Sequence, residues 1–238
     1  MRSLLIVVGA LAIGGVGTAD EIPEPEWIVV RETDSILVSR RGDAPGELPV
    51  VRAAGLVDAG LLEVLAVLRD DDRRSEWLAR CVEARLLERG DRWHSINYSR
   101  MSAWPFRDRD VIVETHVSIG AGGDSAMVRM QSIESPLAQP VDGVVRMPEM
   151  IAHYRLRAEG EARTRIEYQL AIDLGGRVPR RIARLAHENL PLETIQNLRD
   201  HIPTARASYA ELVARWAAEL PTLDAGSTQV DDFSKQSD

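Results

Sequence analysis

The side chains most able to do chemistry are dispersed along the chain. It contains five histidines: His94, His116, His153, His187 and His201. They follow no spacing typical of metal ligands, and three of them fall on the outer face of the predicted sheet. No serine occupies a nucleophile elbow, and no paired carboxylates fall on the predicted inner face. The sequence therefore predicts a non-enzymatic protein without a metal site or a cofactor.

The composition is that of an ordinary globular protein. The chain has 238 residues, of which 45% are hydrophobic and 28% charged, with a formal net charge of −8. No basic stripe stands out against that charge, so we expect no nucleic-acid partner. The single cysteine, Cys81, excludes an intramolecular disulfide. We expect one domain, as a monomer, with a core of useful size.

The N-terminus has the pattern of a secretory signal over residues 1–19. Arg2 is followed by an apolar stretch from Leu4 to Val16 and by the small residues Gly17-Thr18-Ala19. The apolar stretch is shorter than the roughly 20 residues of a spanning helix. We expect export to the periplasm, with an uncleaved N-terminal membrane anchor as the alternative.

Alternating polar and apolar residues predict an antiparallel sheet. A hairpin is predicted over Trp27–Glu32 and Ile36–Arg41, a third strand over Leu48–Ala54, a helix from Asp58 to Leu68, and a short helix over Arg73–Leu78. Six further strands follow: Val82–Arg89, Arg92–Met101, Val111–Ile119, Ala126–Ile133, Met150–Arg157 and Thr164–Asp173. Each has one apolar and one charged face, which predicts an apolar interior and a solvated outer face. Periodicity alone leaves open whether that interior is a packed core or a cavity.

Helices are predicted to close the chain. One begins at Pro179, is kinked at Pro191 and ends near Ile202, and a separate amphipathic helix is predicted after Pro203, over residues 204–221. The polar residues 222–238 are predicted to be a disordered tail. The main domain is predicted over residues 22–203.

The segment Trp104-Pro105-Phe106 interrupts this pattern with an apolar loop. Pro105 lacks a backbone N–H and restricts the conformation of Trp104, so the chain is expected to leave the sheet there. Two large aromatic side chains in a connecting loop suggest the rim of an apolar pocket.

Three motifs in this order resemble a known family. Trp77 precedes an alternating strand, the aromatic loop precedes Arg109-Asp110-Val111, and Ile172–Pro179 leads into the long helix. Together they resemble the START family, the StAR-related lipid-transfer domains, over nearly the whole chain after the signal. The resemblance implies an α+β helix-grip fold, in which a curved antiparallel sheet wraps around a long C-terminal helix. It also implies an internal hydrophobic tunnel for one lipid or sterol, gated by the aromatic loop and by the helix over residues 178–202.

The candidate ligand-binding residues combine predicted inward positions with that gate. They are Asn97, Met101, Trp104, Phe106, Val113, Thr115, Val128, Met130, Tyr154, Tyr168, Leu170, Leu185 and Asn189. Asn97 either donates to a ligand hydroxyl or lies on a solvated face, and the tyrosines either contact ligand or pack in the core. Arg109 and Asp110 match the family's Arg-Asp pair, and we expect them to be structural.

One departure from the family suggests the ligand's chemistry. Several members carry an inward-facing arginine six residues after the first Arg of that pair, where this chain has Thr115. A buried phosphate beside Thr115 would lack a charged partner, unless Arg129 replaced it by facing inward. We therefore expect a neutral lipid or sterol-like ligand with one hydroxyl or carbonyl.

The predicted function is a carrier that moves this ligand between membranes through transient contact with their surfaces. Two alternatives remain open. One is a cyclase-like enzyme that uses the same cavity. The other is a sensing or scavenging protein that acts through a partner docked on the helix Ala205–Leu220.

Overall fold

A computed structural model describes residues 27–41 and 49–223 of the chain, apart from the side chains of residues 180 and 221–223. The predicted signal over residues 1–19 and the predicted tail beyond residue 223 lie outside the described residues. Within the described part of the chain, no helix is both long and apolar enough to cross a membrane.

The described elements are ten strands and two α-helices, with one 3-10 turn at Arg74–Glu76. The strands are β1 (Ile28–Thr33), β2 (Ile36–Arg41), β3 (Val50–Val57), β4 (Cys81–Arg89), β5 (His94–Met101), β6 (Arg109–Ile119), β7 (Ser125–Ser132), β8 (Val145–Arg146), β9 (Glu149–Ala158) and β10 (Thr164–Asp173). The helices are α1 (Leu61–Leu68) and α2 (Arg180–Leu223).

All the long strands form one antiparallel sheet, as the alternation predicted. Its order is β1-β2-β3-β10-β9-β7-β6-β5-β4, and the two-residue β8 pairs in parallel with the start of β6. The curved sheet packs against α2, which also contacts α1. The fold is therefore the α+β helix-grip arrangement that the resemblance implied.

The inner face of the sheet is buried as its alternation predicts. Val111, Val113 and Val117 of β6 belong to the main core, together with Ile195, Leu198 and Ile202 of α2. Tyr154 on β9 and Tyr168 on β10 are register partners whose rings stack with their centroids 4.1 Å apart. The apolar alternation of the strands thus becomes one face packed against the long helix.

The outer face is not solvated along its whole length, which corrects the sequence prediction. Tyr98 and Ile112 point outward and are buried in a small second cluster with Ala138. The segment that follows β7 folds back over them, and Arg146 holds it with an ion pair to Asp110 at 2.8 Å. This segment lacks regular alternation, so no local pattern predicted the cover.

The first helix differs in detail from its prediction. It begins at Leu61 rather than at Asp58, and the Gly60 N–H donates to the Glu63 carboxylate at 2.8 Å. This contact satisfies a backbone donor at the helix start without an Asp58 cap. The short helix predicted over Arg73–Leu78 is a single 3-10 turn at Arg74–Glu76.

The long helix is continuous, so the predicted boundary near Pro203 was wrong. α2 runs for 44 residues and includes both Pro191 and Pro203. Each proline removes one backbone hydrogen bond. The buried stripe nevertheless continues across Pro203, from Ile202 to Ala205 and Tyr209. Packing along one face therefore holds the helix together where local sequence favours a break.

Candidate functional site

An apolar pocket lies between the sheet, the aromatic loop and the first part of α2. Its volume is about 120 Å³. The sheet contributes mainly Val111, Val113, Met130, Met150, Tyr168, Leu170 and Ile172, and α2 contributes Ile182, Ala186, Leu190 and Thr194. The α2 residues recur every four positions, so they form one stripe along the helix that faces the pocket.

The mouth of the pocket is apolar and exposed. The Trp104 side chain is 84% exposed, and Phe106, Val178 and Ile182 also line the pocket at this end. Large apolar side chains left in water at the rim of an apolar pocket are typical of a ligand entrance or a membrane contact. The aromatic loop and the start of the predicted gate helix therefore lie at the mouth, whereas Ile195, Leu198 and Ile202 of that helix lie in the core.

Arg109 connects the aromatic loop to the turn before α2. Its guanidinium donates to the carbonyl oxygens of Arg107 at 2.5 Å, Leu174 at 3.2 Å and Gly175 at 3.4 Å. Burial lowers the pKa of Arg109 from its usual value. Gly175 has a φ of +60°, and a Cβ there would lie 2.9 Å from the Pro148 ring. Arg109 thus joins the two segments that form the mouth.

The inner end of the pocket carries a buried charged network. Arg74 is only 2% exposed, and it donates to Asp71 at 2.6 Å and to Asn97 at 2.7 Å. Asp71 also lies 3.7 Å from Arg69, which donates to Ser95 at 2.9 Å. Two guanidinium groups share one carboxylate, so the network carries a net positive charge.

Two polar atoms of pocket-lining residues have no hydrogen-bond partner among the described residues. They are Nε of Arg74 and Oγ1 of Thr194, and both are buried. A buried polar atom without a partner costs free energy, so an acceptor from a ligand or a water would stabilise this end. The pocket therefore combines an apolar channel with a polar inner end.

This network was not predicted from the sequence. The sequence predicts a helix break at Asp70-Asp71-Asp72 and places Arg74 in a short helix. A run of charged residues normally lies in solvent, and nothing in the local pattern indicates that the 3-10 turn carries Arg74 beneath the sheet.

The structure separates the predicted site residues into three groups. Those that line the pocket are Met101, Trp104, Phe106, Val113, Met130, Tyr168 and Leu170. Those buried behind it are Asn97, Thr115, Val128 and Tyr154. Leu185 is 48% exposed, and Asn189 accepts a hydrogen bond from Arg31 at 2.9 Å, so neither lines the pocket. Each of them is next in sequence to a residue of the α2 stripe that lines the pocket.

Thr115 does not have the predicted place beside the ligand. It is fully buried, and its hydroxyl accepts a hydrogen bond from the Asn97 side chain at 3.0 Å. Asn97 in turn accepts from Arg74, so a cation lies close to the position of the missing arginine but comes from another element. The absence of an arginine at position 115 therefore does not make the inner end neutral.

The hydroxyl groups of the two stacked tyrosines can form hydrogen bonds but do not act as bases. Burial raises the pKa of Tyr168 to about 12, and burial beside Tyr168 raises the pKa of Tyr154 well above its usual value. Both phenols are therefore protonated at neutral pH, and Tyr168 lines the pocket.

Comparison with known proteins identifies the family. The START domain model matches residues 21–204 of this chain. The chain belongs to the START domain family. Members of this family generally bind lipids or other hydrophobic ligands, which agrees with an apolar pocket between sheet and helix.

Relatives and solved structures agree with this assignment. An uncharacterized protein of Pseudomonas aeruginosa is 25% identical over 202 residues, which are 84% of this chain and 97% of that protein. The crystal structure of a StAR-related lipid transfer protein from Xanthomonas axonopodis is 25% identical, with a TM-score of 0.66, over 74% of this chain and 98% of that chain. Human StAR-related lipid transfer protein 5 is 19% identical, with a TM-score of 0.68, over 76% of this chain and 88% of that one. This similarity concerns the fold alone.

Proposed function

We propose that this START domain binds one elongated hydrophobic ligand in its pocket and carries it between membranes without altering it chemically. The observation that carries the proposal is the pocket itself, apolar along its length and bounded by an exposed aromatic loop. The similar Xanthomonas protein is named a lipid transfer protein, which supports the same activity here. Burial of a ligand chain stabilises the complex by roughly 0.8 kcal/mol per CH₂.

In the described conformation the pocket is small. Its volume of about 120 Å³ lies below the roughly 300–1,000 Å³ of typical ligand pockets. Loading therefore requires the aromatic loop and the first part of α2 to separate. Most of the side chains at the mouth are apolar, and Arg109 adds a polar link through its hydrogen bonds to Leu174 and Gly175. Separation at a membrane would therefore leave few polar groups without partners. Trp104 and Ile182 are already exposed, and we propose that they touch the membrane surface.

The inner end suggests what polar group the ligand carries. Nε of Arg74 and Oγ1 of Thr194 both need partners, and each can donate to an oxygen. We propose a lipid or sterol-like molecule with one small oxygen-bearing end, a hydroxyl, a carbonyl or a carboxylate. This keeps the single polar end expected from the sequence and replaces Thr115 by Arg74 as the group that meets it.

We also propose that residues 1–19 direct the chain to export, so that the transfer takes place in the periplasm. Fractionation of the source cells with an antibody against the folded domain tests this directly. Recovery in the soluble periplasmic fraction supports it, recovery with membranes supports the uncleaved anchor, and recovery in the cytoplasm contradicts both.

Transfer of a fluorescent fatty acid or sterol between two vesicle populations tests the carrier function. We expect the full chain to accelerate transfer in proportion to its concentration. Trp104→Ala removes the exposed aromatic at the mouth, and we expect a lower transfer rate with little change in equilibrium binding. Leu185→Ala is the matched control, because Leu185 is exposed nearby but does not line the pocket. Ligand binding without any transfer would contradict the proposal.

A cyclase-like enzyme is the second candidate. The stacked pair of buried, protonated tyrosines beside the pocket favours it. An aromatase/cyclase from Streptomyces shares the fold, with a TM-score of 0.50 and 11% identity over 67% of this chain and 96% of that one. A chemically altered ligand after incubation, abolished in Tyr168→Phe, would support this candidate against the carrier.

A further inference from the structure

A second cluster of functional side chains lies on the outer face of the sheet, away from the pocket. His94 on β5 and His116 on β6 are register partners in the antiparallel pair, and Glu114 lies two residues before His116 on the same face. The spacing of these histidines along the chain matches no metal motif, which is why the sequence predicted no metal site. The spacing is uninformative here because the cluster is assembled across two strands.

The three side chains converge on one point. Nε2 of His94 lies 2.9 Å from Oε1 of Glu114, and Nε2 of His116 lies 3.5 Å from the same oxygen. The two imidazole rings stack with centroids 4.6 Å apart. One candidate ligand atom from each residue lies within 4.8 Å of the others.

These distances suit a tetrahedral metal ion. Ligand atoms about 2.0–2.1 Å from such an ion lie roughly 3.3 Å from one another. The two imidazole nitrogens lie 2.9 Å and 3.5 Å from the Glu114 oxygen, close to that separation. Two imidazoles and one carboxylate form a ligand set that zinc uses with water in the fourth position. All three side chains are partly exposed, so an ion can reach them from solvent.

We infer that His94, His116 and Glu114 form a zinc-binding site on the outer face of β5 and β6. On binding, each imidazole presents Nε2 without a proton: any proton on Nε2 is released to solvent, and the neutral ring carries its one proton on Nδ1. The inference does not depend on the function proposed for the pocket.

The surroundings of the cluster act in opposite directions. A Cβ at Gly90 would lie 2.4 Å from Nδ1 of His94, so the absence of a side chain at position 90 leaves room for the ring. Arg129 on β7 is the register partner of His116 and brings a positive charge to the neighbouring position. That charge disfavours a cation, so binding depends on the negative charge of the Glu114 carboxylate.

Isothermal titration of the full, tag-free chain with Zn²⁺, after treatment with a chelator, tests the site. We expect one ion per chain, and an affinity at least about tenfold lower in His94→Ala and in His116→Ala. Glu114→Gln retains the shape and a hydrogen-bonding oxygen but removes the charge, and we expect it to weaken binding as well. His153→Ala, which removes a histidine elsewhere on the outer face, should bind as the unchanged chain does.

Cobalt gives an independent spectroscopic check. Substitution with Co²⁺ should produce visible absorption of tetrahedral intensity that disappears in His94→Ala. Absence of saturable Zn²⁺ binding would overturn the inference, and so would an affinity that all three variants leave unchanged. In either case the cluster would be a hydrogen-bonded cross-strand contact. Lipid transfer between vesicles should be the same with and without the His94 substitution, which separates this test from that of the pocket.

Discussion

The two ends of the pocket are built in opposite ways. At the mouth, apolar side chains such as Trp104 and Ile182 stand exposed. At the inner end, Arg74, Asp71 and Asn97 are buried and joined by short hydrogen bonds. Opening of the mouth would separate mainly apolar side chains and the Arg109 hydrogen bonds to Leu174 and Gly175. Movement of the inner end would instead leave buried charges without partners. Under the proposed function, uptake and release would take place at the mouth and recognition at the inner end.

The same contrast runs along α2. Its first part carries the exposed Ile182 and Leu185. Its later part carries the fully buried Ile195, Leu198 and Ile202 and packs against the sheet and α1. The helix is therefore fixed at one end and weakly held at the other, so the first part can move while the domain stays folded.

The largest expected change in the free energy of unfolding comes from a substitution in the charged network at the inner end. Asp71→Asn leaves Arg69 and Arg74 buried without their shared carboxylate, and we expect a loss of about 3–5 kcal/mol in the free energy of unfolding. Asp108→Asn is the matched change in the aromatic loop, where Asp108 pairs weakly with Arg100 at 3.8 Å on the surface. There we expect a loss under about 1 kcal/mol. Urea unfolding measures both, and equal losses would contradict the contrast between the two ends.

The second test compares two leucines of α2. Leu198 is 0% exposed and Leu185 is 48% exposed. Leu198→Ala should lower the free energy of unfolding by about 2–5 kcal/mol, because it leaves a cavity in the core. Leu185→Ala should change it by less than about 0.5 kcal/mol. A large loss at Leu185 would show that the first part of the helix is as firmly packed as the second.

The smallest expected effect concerns pH. His187, on the first part of α2, is buried, and neither ring nitrogen has a hydrogen-bond partner among the described residues. This burial lowers its pKa, although Asp173 acts in the opposite direction. Below a pH of about 6.5 the unfolded chain then binds more protons at this residue than the folded one. Stability should fall as the pH drops from that value towards the lowered pKa of the folded state.

His187→Leu should reduce this acid loss, which urea unfolding at pH 7.5 and at pH 5.5 measures. The remaining acid-induced loss of stability is expected to come from His153 and His201, because burial also lowers their pKa values. The same substitution at the exposed His116 controls for the loss of a surface histidine. An unchanged acid loss in His187→Leu would remove this residue from the explanation.

Much of the fold was predictable because alternation along a strand reports directly which face is buried. Val111 and Val113 point inward as their period requires, and the aromatic loop was recognised because Pro105 must leave the sheet. Contacts between distant segments leave no such local signal. The buried Arg74, the cover over Ile112 and the cross-strand cluster at His94 each depend on pairing that the local pattern does not contain.

The candidate site shows the same limit. Inward strand positions such as Met130 and Leu170 line the pocket, because a period of two allows only two faces. Leu185 and Asn189 were misplaced because a helix turns by about 100° per residue, so an error of one position changes the face. The continuous α2 was missed because its side-chain packing outweighs the local effect of Pro203.

We propose that the pocket holds one lipid whose polar end meets Arg74. Native mass spectrometry of the full chain purified from its own host, followed by extraction and identification of any bound molecule, tests it most directly. We expect one bound lipid per chain with a single small oxygen-bearing end, and a lower occupancy in Arg74→Met than in the Leu185→Ala control. A chain that carries no lipid and takes up none from vesicles would contradict the claim.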